Sequence, residues 1–352
     1  MKYIVKIFLQ LIVVAFIGCS SNKEKILEIN GTVINTDTKS ILLLKPAQDF
    51  RFDSLTEIPV KDGKFHYQAR LEHPEAVNLM LGEAKENGGG RTMPLFLENE
   101  KIDLTIHSEQ EFDKNSVQGG TLNKQYQIFK TQTDSLLKGR PFEEQLKWQE
   151  GYISKNPSLI SYYLFLEHLV YFKEYIDVDL AKRNYKILYE AIPNHPYNDL
   201  AYHLISAIEN IKIGKDYVDF SASDLSGNEV RLSDEINGKI ALLDLWATWC
   251  GPCIAKSRTM LPVYNEYKNK GFTIVGVAGE FKNTDRLFKF LEKEKWPWLN
   301  LVELDRENAI WQKYGVDGGG GGLFLIDEKG KILAIDPTDE EVKKELKTRL
   351  SI

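Results

Sequence analysis

Ile240-Ala241-Leu242-Leu243-Asp244-Leu245-Trp246 runs straight into Ala247-Thr248-Trp249-Cys250-Gly251-Pro252-Cys253. Seven residues, apolar except for Asp244, have the pattern of a central strand covered on both faces. A helical stretch follows Cys253 and extends to about Lys268. Further along, Phe272 to Ala278 predicts a second buried strand and Asp285 to Glu294 a second helix. Leu323 to Ile326 and Lys331 to Ile335, joined at Glu328-Lys329-Gly330, predict a hairpin, and a last helix follows Asp339. The quoted stretch therefore places two close cysteines between a buried strand and a helix.

The chain has 352 residues and three cysteines, Cys19, Cys250 and Cys253. That is too few for a disulfide-stapled scaffold. A structural zinc site on the close pair would need two further ligands, and none stands at suitable spacing. Nor do the six histidines fall into a metal-ligating pattern, so they read as surface or core residues. A net charge of −6 removes the electrostatic basis for nucleic-acid binding. There is no phosphate-binding glycine loop of the Gly-X-X-X-X-Gly-Lys type.

Alternating parallel βαβ elements closed by a hairpin and a helix describe an α/β thioredoxin fold over residues 213–352. Trp246-Ala-Thr-Trp-Cys-Gly-Pro-Cys253 together with Phe324-Leu-Ile-Asp327 resembles the membrane-anchored thiol–disulfide oxidoreductases of the TlpA and ResA type. A metal-binding or structural pair is the alternative. The resemblance implies a redox-active Cys250–Cys253 disulfide as the working group, with no other cofactor and no metal. Cys250, at a helix N-terminus where backbone N–H groups favour a thiolate, is then the nucleophile. Cys253, one turn on and less exposed, resolves the mixed disulfide. Asp244, six residues before Cys250, matches the buried aspartate of thioredoxins and would exchange a proton with Cys253; a carboxylate with structural effects alone is the alternative. Trp249 would cover the sulfur pair and Trp246 pack beneath it, while Gly251 and Pro252 set the geometry of the turn. Both tryptophans also fit a core role.

Three positions depart from the family. Its cis-proline slot, counted back from Phe324, holds Gly321, inside the run Gly318 to Gly322. In the family this loop faces the cysteines and pairs with the substrate as an added strand. Glycine keeps the backbone accessible but loses rigidity. Substrate grip and exclusion of metal are thereby left open, as is a floppy connector without a partner. The acidic residue three positions after the second cysteine is Lys256, a cation that should favour the thiolate. The usual helix proline is replaced by Arg258, with Pro262 one turn later.

Upstream, Lys2 and Lys6 precede an apolar run from Ile7 to Ile17, which is too short to span a bilayer and has the length of a signal-peptide core. It ends in Phe16-Ile17-Gly18-Cys19, which resembles the lipobox of bacterial lipoproteins, with Phe16 where leucine is usual. That implies a signal peptide over 1–18, a lipid on Cys19 and a tether over 19–25, in the bacterial cell envelope and facing the periplasm or the outside. A plain secretory signal is the alternative. Residues 26–118 show short apolar runs split by turn residues and predict a small antiparallel β-sandwich. Asp53-Ser54, Asp62-Gly63-Lys64-Phe65 and Phe96-Leu97-Glu98-Asn99 resemble the uncharacterised β-domain that precedes the redox domain in many such lipoproteins. Gly119-Gly120 marks a boundary, and residues 121–212 predict a helical linker domain. In it Ser158 starts a helix and Pro193 and Pro196 bracket His195 in a helix–helix connection. Its aromatic stripe (Tyr162, Tyr163, Phe165, Tyr171, Phe172, Tyr175) fits packing first and a peptide-binding surface second.

The function implied is reduction of partner-protein disulfides by an extracytoplasmic, lipid-anchored enzyme. The Gly-Pro dipeptide matches thioredoxin, near about −270 mV, rather than oxidants near about −120 mV. With no third thiol in the folded part, a membrane thiol protein must supply electrons. A thiol peroxidase of peroxiredoxin type needs threonine three residues before the nucleophile, whereas Thr248 stands two before Cys250. A surface-binding lipoprotein with a vestigial redox domain is the non-enzymatic alternative.

Overall fold

The computed structural model describes residues 25–48, 55–316 and 320–350. The signal and lipidation residues through Cys19, Asp53-Ser54 and Gly318-Gly319 lie outside the described residues.

Alternation along the strands builds the N-terminal layers. Strands β1 (Leu27–Ile34), β2 (Ser40–Leu44), β3 (Thr56–Pro59), β4 (Lys64–Ala69), β5 (Glu75–Leu81), β6 (Met93–Leu97), β7 (Lys101–His107) and β8 (Ser116–Gly119) form two four-stranded sheets. Their orders are β4-β1-β7-β8 and β3-β2-β5-β6. In β7, Ile102, Leu104 and Ile106 point inward, while Lys101 and Asp103 are exposed. They meet Ile41, Leu79 and Leu95 from the facing sheet in one core. Every pairing is antiparallel except β1 with β7, which is parallel. Between them the chain builds the whole second sheet, so it has length enough to return in the same direction.

The second sheet is covered twice. β2 is buried along its entire length because one face lies on the sandwich core and the other is covered as well. Ala76 and Phe96, on the outer face, join the core of five helices: α1 (Thr121–Leu136), α2 (Phe142–Lys155), α3 (Leu159–Tyr171), α4 (Val178–Ala191) and α5 (Tyr197–Asn210). Ser158 caps α3 by accepting the Ser161 N–H, and Asp177 caps α4 by accepting that of Leu180. α3 is buried on nearly every side, which takes Tyr162, Tyr163 and Phe165 of the aromatic stripe into packing, while Tyr171 and Tyr175 stay exposed. His195, between Pro193 and Pro196, is buried with its Nε2 2.8 Å from the Pro74 carbonyl oxygen. Helix side chains also satisfy sheet backbone. Tyr197 Oη bonds both the N–H and C=O of Ala76, and Asn123 does the same for Phe96 on the edge strand β6.

Beyond α5 the chain runs along the hairpin strand β15 (Ile332–Ile335), with Gly214 donating to the Ile332 carbonyl and Ile332 to that of Lys215. It then enters a seven-stranded sheet of order β10-β9-β13-β12-β11-β14-β15. The remaining strands are β9 (Ser221–Asp224), β10 (Glu229–Arg231), β11 (Ile240–Trp246), β12 (Phe272–Glu280), β13 (Leu299–Leu304) and β14 (Gly322–Ile326). β11 is parallel to β12 and β12 to β13, whereas β14 is antiparallel to both β11 and β15. Helices α6 (Gly251–Tyr267), α7 (Asp285–Glu294) and α8 (Asp339–Arg349) complete this α/β layer, and a Thr338–Glu341 capping box starts α8. Among the described residues no helix is long and apolar enough to cross a membrane.

Replacing Asn123 by leucine should strand the buried N–H and C=O of Phe96. We expect a loss of about 2–4 kcal/mol, seen as a lower denaturant midpoint.

Candidate active site

β11 occupies an inner position of its sheet and ends at Trp246, and the chain turns through Ala247–Cys250, closed by Cys250 N–H on the Ala247 carbonyl. Gly251 begins α6, with Pro252 in its first turn, where a missing N–H costs nothing. Cys250 is therefore the N-cap residue, and its Sγ accepts the Cys253 N–H at 3.3 Å. The two cysteines form a disulfide with Cα atoms 5.3 Å apart. Exposure does not rank them, contrary to the expectation that Cys253 is the less exposed: they are 6% and 7% accessible. Their partners differ instead. Cys250 faces the helix N-terminus, whereas Cys253 Sγ accepts the Gly321 N–H at 3.1 Å.

A cavity of about 330 Å³ opens on the pair, with Asp244, Trp249, Lys256 and Gly320–Gly322 in its wall. Gly321 is held rather than loose. A Cβ there would lie 2.0 Å from the Leu245 carbonyl oxygen and 2.7 Å from Cys253 Sγ, so this backbone accepts no side chain. The next residue, Gly322, pairs with Leu245 in the sheet. Peptide bonds among the described residues are all trans. The slot thus presents an N–H to sulfur, which a proline could not do.

Asp244 is 2% exposed in the middle of β11, between Gly276 of β12 and Leu323 of β14. Its Oδ2 accepts the Ser257 hydroxyl at 2.6 Å, and the same hydroxyl lies 3.0 Å from the Cys253 carbonyl oxygen. Burial pushes the Asp244 carboxyl up to about 7, against the opposing influence of Ser257 and the Lys256 charge. Lys256 is not a lone cation beside the thiols: its Nζ pairs with Asp336 at 2.9 Å. Arg258 forms a two-pronged pair with Glu294, and Pro262 lies within α6.

The tryptophans divide. Trp249 donates its Nε1–H to the Gly279 carbonyl and packs 5.8 Å from Trp311, at the border of the cysteine cavity. Trp246, fully buried, lies against Trp296 and Phe290. Among the described residues there is no group of three or more His, Cys, Asp or Glu placed to hold a metal ion.

The AhpC/TSA family model matches residues 213–335, and the domain of unknown function DUF4369 matches residues 27–126. Thiol-disulfide oxidoreductase ResA of Bacillus thuringiensis subsp. konkukian is 33% identical over 145 residues, 40% of this chain and 79% of that protein. ResA of Geobacillus thermodenitrificans is 34% identical over 142 residues, 39% of this chain and 78% of that protein. This chain belongs to the ResA family of thiol-disulfide oxidoreductases. The solution structure of a thiol:disulfide interchange protein from Bacteroides sp. is 27% identical, covering 41% of this chain and 93% of its own, with a TM-score of 0.37. The chain is a thiol–disulfide oxidoreductase with an AhpC/TSA-type thioredoxin-like domain.

The ResA-family site also contains side chains that the sequence reading passed over. Ser257 links Asp244 to the Cys253 backbone. Glu280, 4% exposed at the end of β12, accepts both the N–H and the hydroxyl of Thr248, at 2.7 and 2.8 Å. Arg286 donates to the Thr248 carbonyl, so three hydrogen bonds from two side chains fix the residue two before Cys250. Burial raises the Glu280 carboxyl above the ordinary carboxylate range, opposed by the Thr248 hydrogen bonds. A signal for Glu280 existed in the sequence, a charge closing an otherwise apolar strand from Phe272.

Because the Asp244 pKa is raised on folding, the folded protein binds the proton more tightly than the unfolded chain does. Stability is then fully present below about pH 4 and falls as pH rises to about 7. Asp244→Asn, in the oxidised protein, should match the parent at pH 4 and exceed it by a few kcal/mol at pH 8, in denaturant titrations.

Proposed function

We propose that the chain reduces disulfides of partner proteins outside the cytoplasm, from a membrane to which lipid on Cys19 tethers it. The observation that carries the exchange chemistry is the Cys250 sulfur at the N-terminus of α6 beside an open cavity bordered by bare glycine backbone. In the reduced protein the Cys250 thiolate, favoured by helix N–H groups, attacks one sulfur of the substrate disulfide. A mixed disulfide forms and the first substrate thiolate leaves. Cys253 passes its proton to the Asp244 carboxylate and attacks Cys250 Sγ, which releases the second substrate thiolate and closes the Cys250–Cys253 disulfide. Two electrons go to the substrate sulfurs, and the two protons that complete them as thiols come from Asp244 and solvent. The pair then needs two electrons from a thiol protein at the membrane, because the remaining cysteine, Cys19, is committed to lipid. No bound cofactor takes part; Trp249, Gly251 and Pro252 shape the rim and turn, and Gly321 carries the backbone that meets the substrate.

Thr248 weighs against the peroxidase reading. Its hydroxyl is bonded to Glu280, so it is engaged away from any peroxide at the sulfur. The vestigial reading is separated from the enzymatic one by assay.

Insulin reduction driven by a small dithiol should be lost in Cys250→Ser, while Cys253→Ser should accumulate mixed disulfides on Cys250. Full turnover without Cys250, or a reduction potential above about −150 mV, would rule out the reductase. The rate should rise with pH through about 7, and Asp244→Asn should erase that inflection and slow exchange about 10²-fold. An unchanged profile would leave Asp244 without a proton role. Cys19→Ala should move the protein from the membrane pellet to the soluble fraction; a variant still in the pellet would exclude the lipid anchor.

A further inference from the structure

The seam between the helical layer and the redox sheet contains a second open space, of about 560 Å³. Ile176, Ile208 and Ile211 line it on the helical side, and Val316, Phe324 and Ile335 on the side of the sheet. Its border includes Gly320–Gly322, the same three residues that border the cysteine cavity. The two spaces thus share a border of three successive residues without side chains. An extended chain crossing this backbone with its cysteine over Cys250 places its neighbours over the seam within two or three residues, at about 3.3 Å each.

The walls are fixed to one another. Lys173 Nζ donates to the Gly315 carbonyl at 2.9 Å, and a Cβ on Gly315 would lie 3.6 Å from that of Ala207 in α5. Gly214 and Lys215 are bonded to Ile332, at the start of the strand that ends in Ile335. The rim carries Lys173 and Lys212 against Glu174 and Asp336, so the charges cancel and leave the apolar walls to choose the occupant.

We propose that this seam is the specificity groove, and that it takes an extended segment of the substrate protein with two or three apolar residues next to the reactive cysteine. This rests on the reading of Cys250–Cys253 as a protein-disulfide exchange centre.

The test uses the reduced full chain and disulfide-linked dimers of two short peptides, identical except for Leu-Val-Leu or Ser-Asp-Ser beside the cysteine. The apolar peptide should have a kcat/KM about tenfold or more above the acidic one, as burial of a few methylenes predicts. Ile208→Asp on one wall and Ile335→Asp on the other, where the side chain is 39% exposed, should each bring the ratio close to one. A loss of folded protein lowers both rates alike and leaves the ratio intact. Equal rates on both peptides in the unsubstituted protein, or a preference that survives both substitutions, would overturn the groove. A protein that reduces dithiobis(nitrobenzoate) but neither peptide would overturn the protein-disulfide reading beneath it.

Discussion

A carboxyl group buried within a seven-stranded sheet sets the terms for everything around it. Asp244 pairs in register with Gly276 and Leu323, is 2% exposed, and its side chain finds Ser257. Burying such a group ionised is costly, so its proton affinity rises into the range where thiols exchange protons. The same hydroxyl that holds Asp244 lies 3.0 Å from the Cys253 carbonyl oxygen, so the acid is tied to the backbone of the helix that carries this cysteine. Glycine at 321 completes the arrangement from the opposite side, because only a residue without a side chain lets backbone reach Cys253 Sγ.

The turn before Cys250 is under separate control. Glu280 and Arg286, on β12 and α7, grip Thr248 by its N–H, hydroxyl and carbonyl. Trp249 is tied to Gly279 of the same strand. The turn into Cys250 is thus held by β12, the strand next to β11, while Cys253 Sγ meets the Gly321 N–H just before β14. Each sulfur answers to a different neighbour of β11.

Much of this was legible in the sequence because the strongest signals were local. The apolar run broken at Asp244 and the helix after Cys253 each lie within one element, and the hairpin before α8 joins two that are adjacent in sequence. What the sequence did not disclose depended on pairing between distant elements. β9, β10 and β13 are short or weakly patterned, and they are strands because the sheet already offers them an edge. The parallel partnership of β1 and β7 follows from how the sandwich closes, which no alternation pattern encodes. Ser257 and Glu280 owe their roles to partners on other elements, and the cation Lys256 is met by Asp336, next to β15. The continuous burial of β2 likewise depends on distant residues, since its second face, Leu42 and Leu44, is covered by Leu55, Met80 and Ala84.

The segment from Gly214 to Tyr217 does more than lead from one layer to the next. By bonding along β15 it covers what would otherwise be an open margin of the redox sheet. Its bonds reach Gly330 and Ile332, so the start of that margin is already paired within the chain. A strand arriving from another molecule would have to displace this segment before it could pair there, and the connector thereby guards the sheet it leads into.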